Sequence, residues 1–280
     1  MSDSEDEIEN KLDIETISLK FDKRQLARLK ALASEADMDL EPFIRRLCAD
    51  TVDKCEQTTS QTTAKQKKFD WGDVRSVEPI NNDFGFSSGQ PIDRYYIDQF
   101  LDQHRGDIRG HVLEVADNNY TLRFGDDRVE KSDILHVQKS EKATLVADLE
   151  TGKGIPADSF DCIILTQTLP FIYDAKSVIA NCHKALRKDG VLLCTVNGIS
   201  QISGYDMERW GDFWRFTDLS LRRLLAESFD ETAVSICTFG NVLAATFFLM
   251  GLPAQALQLR ELDHHDKNYQ VLIAARTQKL

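Results

Sequence analysis

The residues able to do chemistry gather at the ends of short apolar runs. Glu114 lies near the end of the run at 111–116 (HVLEVA) and is followed by Ala116, Asp117, Asn118 and Asn119. Asp148 and Leu149 follow the run at 143–147 (ATLVA), and Thr166 follows the run at 162–165 (CIIL). His136 and Gln138 stand at the end of another run, at 134–137. A carboxylate at a strand mouth can neutralise an amine or accept from an amino group, and an imidazole or carboxamide can hold a hydroxyl. Downstream, Trp210, Asp212, Trp214 and Arg215 crowd two indoles and two opposite charges into one stretch, and Arg94, Tyr95 and Tyr96 precede the first run. Each also has a plain structural use. Glu114 suits a strand-end cap, Asp148 the N-cap of a turn, and the aromatic residues ordinary packing. His264-His265 lacks ligand spacing and reads as a solvated loop, not a metal site.

The elements that position these residues alternate in kind. Apolar runs at 111–116, 134–137, 143–147, 162–165 and 191–196 read as buried strands. Val178, Ile179, Cys182, Ala185 and Leu186 form a helical stripe that ends near Asp189-Gly190. A helix over 219–229 has Thr217 as its cap, and strands at 234–238 and 269–275 flank an uncharged helix at 242–250. Strands alternating with helices predict an α/β fold with a parallel sheet. Positions 233–259 carry no charge across 27 residues, enough to cross a bilayer at ~20 residues. Ser235, Thr238, Thr246 and the turn at Phe239-Gly240-Asn241 instead divide that stretch into a strand and its covering helix, so no membrane span is expected.

Motifs then give a family resemblance. ADLETGKGIPADSFDCIILTQTLPFI resembles the signature of class I methyltransferases of the broad type 11 family, with Asp148, Ile155-Pro156 and Phe160-Asp161 at its key positions. KALRKDGVLLCTV is similar to that family's passage into the fifth strand, and FTDLSLRRLLAESF to the helix after it. FGFSSGQPIDRYYIDQFL, VLEVADNNYTLRFG, SDILHV and WGDFWRFT resemble one subgroup of the family. The resemblance covers about 190 residues, by count from the sequence. It implies a Rossmann-like seven-stranded methyltransferase sheet over 84–280, S-adenosylmethionine as cofactor, and a small-molecule or saccharide acceptor. It implies that Glu114 neutralises the methionyl amine and that Asp148, with the Leu149 N–H beside it, meets the adenine amino group. It also implies that the helix bearing Arg94, Tyr95 and Tyr96 lids the cofactor, while Trp210, Asp212, Trp214 and Arg215 cover the acceptor. Two departures stand out. The glycine run after the first strand is missing: Ala116 replaces the first glycine, leaving Asp117 and Asn118 to supply a turn or a left-handed residue. The second-strand acid that holds the ribose hydroxyls is also missing, with His136 and Gln138 in its neighbourhood. No catalytic base is readable; Asp206, Asp212 and His136 are the titratable candidates.

The rest of the chain reads as an acidic disordered tail (1–13), a small module (14–54) and a linker (55–83). Thr16 to Phe21 alternates as a strand, and helices follow from Lys23 to Glu35 and from Leu40. That order resembles a ribbon-helix-helix module, which implies a homodimer through paired strands, with Thr16, Ser18 and Lys20 outward. The module has eight basic and eight acidic residues behind a tail of net charge −5, so dimerisation fits better than DNA binding. Two rival functions follow: a noncatalytic protein of the same fold, given the glycine-poor loop, and a DNA-binding regulator acting through 14–54. The net charge of −12 and six cysteines without metal spacing suit reduced core thiols. With no signal-peptide pattern at the start, the expected location is cytoplasmic.

Overall fold

The computed structural model describes residues 23–36, 38–44, 46–47 and 75–280. The chain divides into two units, up to Lys68 and from Phe69 onward. In the first unit, α1 (Lys23–Glu35) has the bounds its leucine spacing predicts. It buries Ala33, while Leu32 stays 47% exposed. Helical turns follow at 40–44, where Phe43 is buried. The expected tail, the strand at 16–21, Cys48 and Cys55 lie outside the described residues.

The second unit is built on a seven-stranded sheet of order β3-β2-β1-β4-β5-β7-β6. Its strands are β1 (Gly110–Val115), β2 (Val129–His136), β3 (Leu145–Val146), β4 (Phe160–Thr166), β5 (Leu186–Asn197), β6 (Ser235–Phe239) and β7 (Leu272–Gln278). The first five are mutually parallel; β7 lies antiparallel between β5 and β6. This is a Rossmann-like seven-stranded sheet with an antiparallel edge, as the sequence predicts.

Alternation along the strands separates two apolar layers, because successive side chains point to opposite faces. Val112, Cys162, Ile164, Leu193 and Ala274 face one core, with Ile92, Tyr96, Phe100 and Phe248. Those side chains come from α2 (Ile92–Gln103) and α7 (Val242–Leu249); α3 (Asn119–Gly125) adds Phe124. Leu113, Ile163, Leu165, Cys194 and Ile273 face the other core, against α4 (Ala175–Ala185) and α6 (Asp218–Ala226). The lesser helices α5 (Gly204–Arg209) and α8 (Leu259–Leu262) complete the set.

Caps explain where the helices start. Thr217 accepts from Ser220 N–H in a full capping box, and Asn241 Oδ1 accepts from Leu243 and Ala244, each at 3.0 Å. No described helix is long and apolar enough to cross a membrane; the uncharged stretch divides into β6 and α7 as expected. Cys162, Cys182 and Cys194 are free and buried, and burial pushes the Cys182 thiol up to about 12.

Several boundaries move: β2 and β5 start before the runs at 134–137 and 191–196, and α6 ends at Ala226, short of 229. The helix expected to reach Asp189-Gly190 ends at Ala185, because Leu186 already pairs with Phe160. The last strand, expected at 269–275, runs from Leu272 to Gln278. Tyr269 closes a turn on Asp266, and polar Arg276 to Gln278 continue the strand because β5 pairs with it through Gln278. Arg276 is anchored by Asp107 through two 2.8 Å bonds.

Candidate functional site

The chain leaves β1 outward to β2 and β3, then crosses back to place β4 on β1's other side. Loops diverge at such a switch point and leave a crevice at the carboxyl ends of the strands. A cavity of about 1240 Å³ opens there. Of the expected site residues, Glu114, Ala116, Asp117, His136, Asp148, Leu149, Thr166, Trp210 and Asp212 line it. Asn118, Tyr95, Trp214 and Arg215 do not.

The loop after β1 is organised by Glu114. This carboxylate is 2% exposed and accepts from Thr121 N at 2.8 Å, Thr121 Oγ1 at 2.7 Å and Tyr120 N at 3.2 Å. It thereby satisfies the orphan N–H groups that open α3, whose own N-cap, Asn118, makes no capping bond. Burial pushes the Glu114 carboxyl up to about 7, against the pull of those donors. Three of its roughly four acceptor positions are taken by α3, so the strand-end cap is its structural task.

The turn itself corrects an expectation. Ala116, not Asp117 or Asn118, takes the left-handed conformation, at φ +72°. A Cβ there costs about 1–2 kcal/mol. Asp117 Oδ1 accepts from Asn119 N, and Asn118 turns to Ser132 Oγ at 3.1 Å, away from the cavity. The chain thus makes the tight turn without glycine, using Ala116 strain and the Glu114 bonds.

At the end of β2, His136 lines the cavity with its ring 6.3 Å from that of Trp210. Its Nδ1 accepts from Gln138 N, which places the proton of a neutral ring on Nε2. Gln138 is exposed and outside the cavity lining. Beyond β3, Asp148 Oδ1 accepts from Glu150 N at 2.8 Å and Thr151 N at 3.3 Å. Burial opposes its charge, but bonds from Thr151 and Glu150 outweigh it and hold the carboxyl below its usual range.

Upstream, Tyr95 is directed elsewhere: its hydroxyl donates to Asp263 Oδ1 at 2.7 Å. Its neighbours Asp93 and Arg94 line the cavity instead. Burial opposes the Arg94 charge, but Asp93, Tyr120 and Asp117 keep the guanidinium above its ordinary value. Asp93 is 8% exposed, and burial raises its carboxyl despite Arg94.

The segment from Ser200 to Phe213 covers the β5 side. Arg215 lies behind the wall, where it holds Asp212 at 2.6 and 2.9 Å and donates to the carbonyls of Ser200 and Gln201. Asp212 also accepts from Ser203 N at 2.9 Å. This pair ties the two limbs of the cover together. Trp214 donates to Tyr173 O at 3.2 Å, and Phe213 and Trp210 take its place at the mouth.

Sequence reasoning missed Gln167 and Asn197. Gln167 follows β4 at φ +47°, Asn197 ends β5, and both line the cavity. Gln167 lies within the motif stretch 147–172 but at none of its key positions, and Asn197 directly follows the stretch 184–196. Among the described residues no group of three His, Cys, Asp or Glu side chains is placed to hold a metal; His265 bonds Thr238 Oγ1 at 2.7 Å.

Residues 98–194 match a family described as a methyltransferase domain. Among curated proteins nothing matches. Among solved structures, the chain is similar to a SAM-dependent methyltransferase from Archaeoglobus fulgidus at 10% identity and TM-score 0.44, covering 66% of this chain and 94% of that one. It is also similar to the N-methyltransferase NodS from Bradyrhizobium japonicum, solved with S-adenosyl-L-homocysteine, at 16% identity and TM-score 0.44, covering 72% and 94%. The family match spans about a third of the chain, and the sheet order and the cavity at its switch point suit a methyltransferase domain there.

Proposed function

We propose that the chain transfers a methyl group from S-adenosylmethionine to a hydroxyl or amine of a small-molecule or saccharide acceptor. The observation that carries this reading is the cavity of about 1240 Å³ at the switch point, ample beside the ~300–1,000 Å³ of ordinary ligand sites. The residues present fit the cofactor. Asp148, kept ionised at the β3 end, suits the adenine amino group, and His136 suits a ribose hydroxyl. Arg94, a cation at the wall beside the β1 loop, suits the methionyl carboxylate. With Glu114 committed to α3, Asp117 is the further carboxylate in the wall for the methionyl amine.

When bound, S-adenosylmethionine supplies an electrophilic methyl group on a sulfonium. The chain's own contribution is positioning and exclusion of water. The Arg215–Asp212 pair keeps the cover closed over the β5 side, and Trp210 and Phe213 make its rim apolar. The N-terminal module serves dimerisation in this reading. Leu32 and Leu47 on its helical turns stay 47% and 40% exposed, an apolar face that a second copy would cover.

The test is calorimetric titration with S-adenosylhomocysteine, followed by mass spectrometry of candidate acceptors after incubation with S-adenosylmethionine. Micromolar binding with a gain of one methyl on an acceptor is expected. Binding without any transfer would favour the noncatalytic alternative.

A further inference from the structure

One carboxylate in the cavity wall is both buried and incompletely bonded: Asp93, in the first turn of α2. Its Oδ1 accepts from Arg94 N at 2.8 Å, while Oδ2 has no donor and no ion pair among the described residues. Oδ2 nevertheless stays open, since the described buried polar atoms that are closed to solvent and lack a partner are four others. The other buried carboxylate of the wall, Glu114, has three donors from α3. Taking an ionised oxygen out of water without a partner is costly, and burial raises the Asp93 carboxyl accordingly. Such a group at a cavity marks a task other than stability.

Helix geometry places it. α2 leads down to β1, which rises from Gly110 to Val115, so α2 starts at the carboxyl ends of the strands. Positions 93, 97 and 100 share one stripe, at i, i+4 and i+7. Ile97 and Phe100 of that stripe are buried in one core with Ile164, Leu193 and Ala274 of β4, β5 and β7, and α2 packs on β5 and β7. Asp93 heads the stripe at the strand ends. Arg94 and Asp98 lie on the next stripe, toward α3, where Asp98 pairs with Arg123 at 2.8 Å. The cofactor contacts inferred above lie at Arg94 and at the ends of β1, β2 and β3. Asp93 therefore belongs to the half of the cavity left for the acceptor.

The wall is also one-sided in charge. Nine carboxylates and three guanidiniums line it, with no lysine. Two of the guanidiniums are engaged, Arg123 by Asp98 and Arg209 over its own Tyr205 ring at 3.5 Å. A cleft of this sign concentrates cations and repels phosphates and carboxylates. On the methyl-transfer reading above, we propose that Asp93 receives the amino group of the methyl acceptor, which makes the acceptor an organic amine and the transfer an N-methylation. The amine arrives as an ammonium, donates to Oδ2 and gives it one proton. The freed lone pair forms the N–C bond as the C–S bond of the sulfonium breaks, and the electrons of that bond stay on sulfur as a neutral thioether. The product leaves as a methylammonium, and Asp93 releases its proton to water. The raised carboxyl suits this step because it narrows the gap to the ammonium. Of the acids expected as bases, Asp212 is committed to Arg215 and Asp206 to the Ser203 hydroxyl.

Three probes of one size separate the charges: 2-phenylethylamine, 2-phenylethanol and phenylacetate. Their ring suits the Phe84 and Phe248 pair in the wall, whose centroids are 5.8 Å apart. With the full chain saturated with S-adenosylhomocysteine, calorimetry should rank the amine at least ~10-fold above the alcohol, as a charge-assisted bond predicts, and the carboxylate last. Asp93→Asn keeps an oxygen for Arg94 N. It should cut amine binding at least ~10-fold and leave the alcohol and S-adenosylhomocysteine within about twofold. With S-adenosylmethionine instead, mass spectrometry should show one methyl on the amine and none on the alcohol. Equal binding of amine and alcohol, or an Asp93→Asn chain that keeps the amine, would overturn the assignment. So would a parallel loss of S-adenosylhomocysteine, which puts Asp93 on the methionyl amine. A methylated alcohol, or a bound amine left unmethylated, would overturn transfer to nitrogen. If Asp93→Asn does not fold, the ranking of the three probes in the parent chain still decides. If S-adenosylhomocysteine fails to bind the parent chain, the methyl-transfer reading falls, whereas the same ranking without it tells whether the wall holds an ammonium.

Discussion

Glu114 on β1 reaches across the loop to accept both the backbone N–H and the hydroxyl of Thr121, at 2.8 and 2.7 Å. This contact does for the cofactor loop what a glycine run would do by backbone freedom alone: it fixes the turn into α3. The arrangement places a carboxyl with a raised pKa at the base of the cavity, and stability inherits its titration.

The pH dependence follows from that shift. The Glu114 carboxyl is raised from 4.5 to about 7, so between those values the folded chain binds more protons than the unfolded one. Stability is therefore greatest below pH 4.5 on this account and is lost as pH rises through 7, by on the order of 3 kcal/mol. Glu114→Gln should flatten this slope. Urea unfolding of parent and variant between pH 5 and 8 checks it; parallel slopes would rule the titration out.

Ala116 carries the strain of a glycine position, at φ +72°. Ala116→Gly should relieve about 1 kcal/mol or less, after the added freedom of the unfolded chain is subtracted. It should also tighten S-adenosylhomocysteine binding by letting the backbone approach more closely. Ala116→Val should destabilise by more than 1 kcal/mol on the same reasoning. Thermal melting and calorimetry read both effects.

Asp148 makes a different prediction, since it serves both its turn and the expected adenine contact. Asp148→Ala should weaken S-adenosylhomocysteine by about 1–3 kcal/mol, roughly tenfold or more, as a charge-assisted bond is lost. Equal affinity in parent and variant would move the adenine elsewhere.

Removing Arg215 leaves the Asp212 carboxylate, whose side chain is only 1% exposed, without its cation. Arg215→Ala should cost about 3–5 kcal/mol if that charge stays buried. If the cover opens instead, limited proteolysis should cut between residues 200 and 216 in the variant and not in the parent. An intact, equally stable variant would refute the clamp.

The N-terminal module should make the chain a dimer at tens of micromolar in sedimentation, and duplex DNA should not bind tightly at ~0.15 M salt, where specific binders reach nanomolar affinity. The tail ahead of the module has six acids against one lysine, which repels phosphate. A nanomolar complex with one duplex sequence would reverse this and make residues 14–54 a DNA reader.

The sequence by itself determined the α/β class, α1, the cap Thr217, the turn at Phe239-Gly240-Asn241, and the placement of Glu114, Asp148 and His136 at strand ends. Those features are local: apolar period, a capping side chain, an acid following a run. Only the tertiary structure decided what the ends of different strands do together. Gln167 and Asn197 are thirty positions apart and line the same cavity because β4 and β5 are neighbours in the sheet. Arg215, expected at the acceptor, is drawn away by Asp212 and two carbonyls within its own cover. Tyr95 leaves the cavity for Asp263, which only chain folding brings near. Strand order also set the limits of β7, since pairing with β5 carries the polar residues Arg276, Thr277 and Gln278 into the sheet. Hydrogen-bond partners distant in sequence leave no periodic signal, so side-chain roles were settled by packing while the fold was legible from pattern.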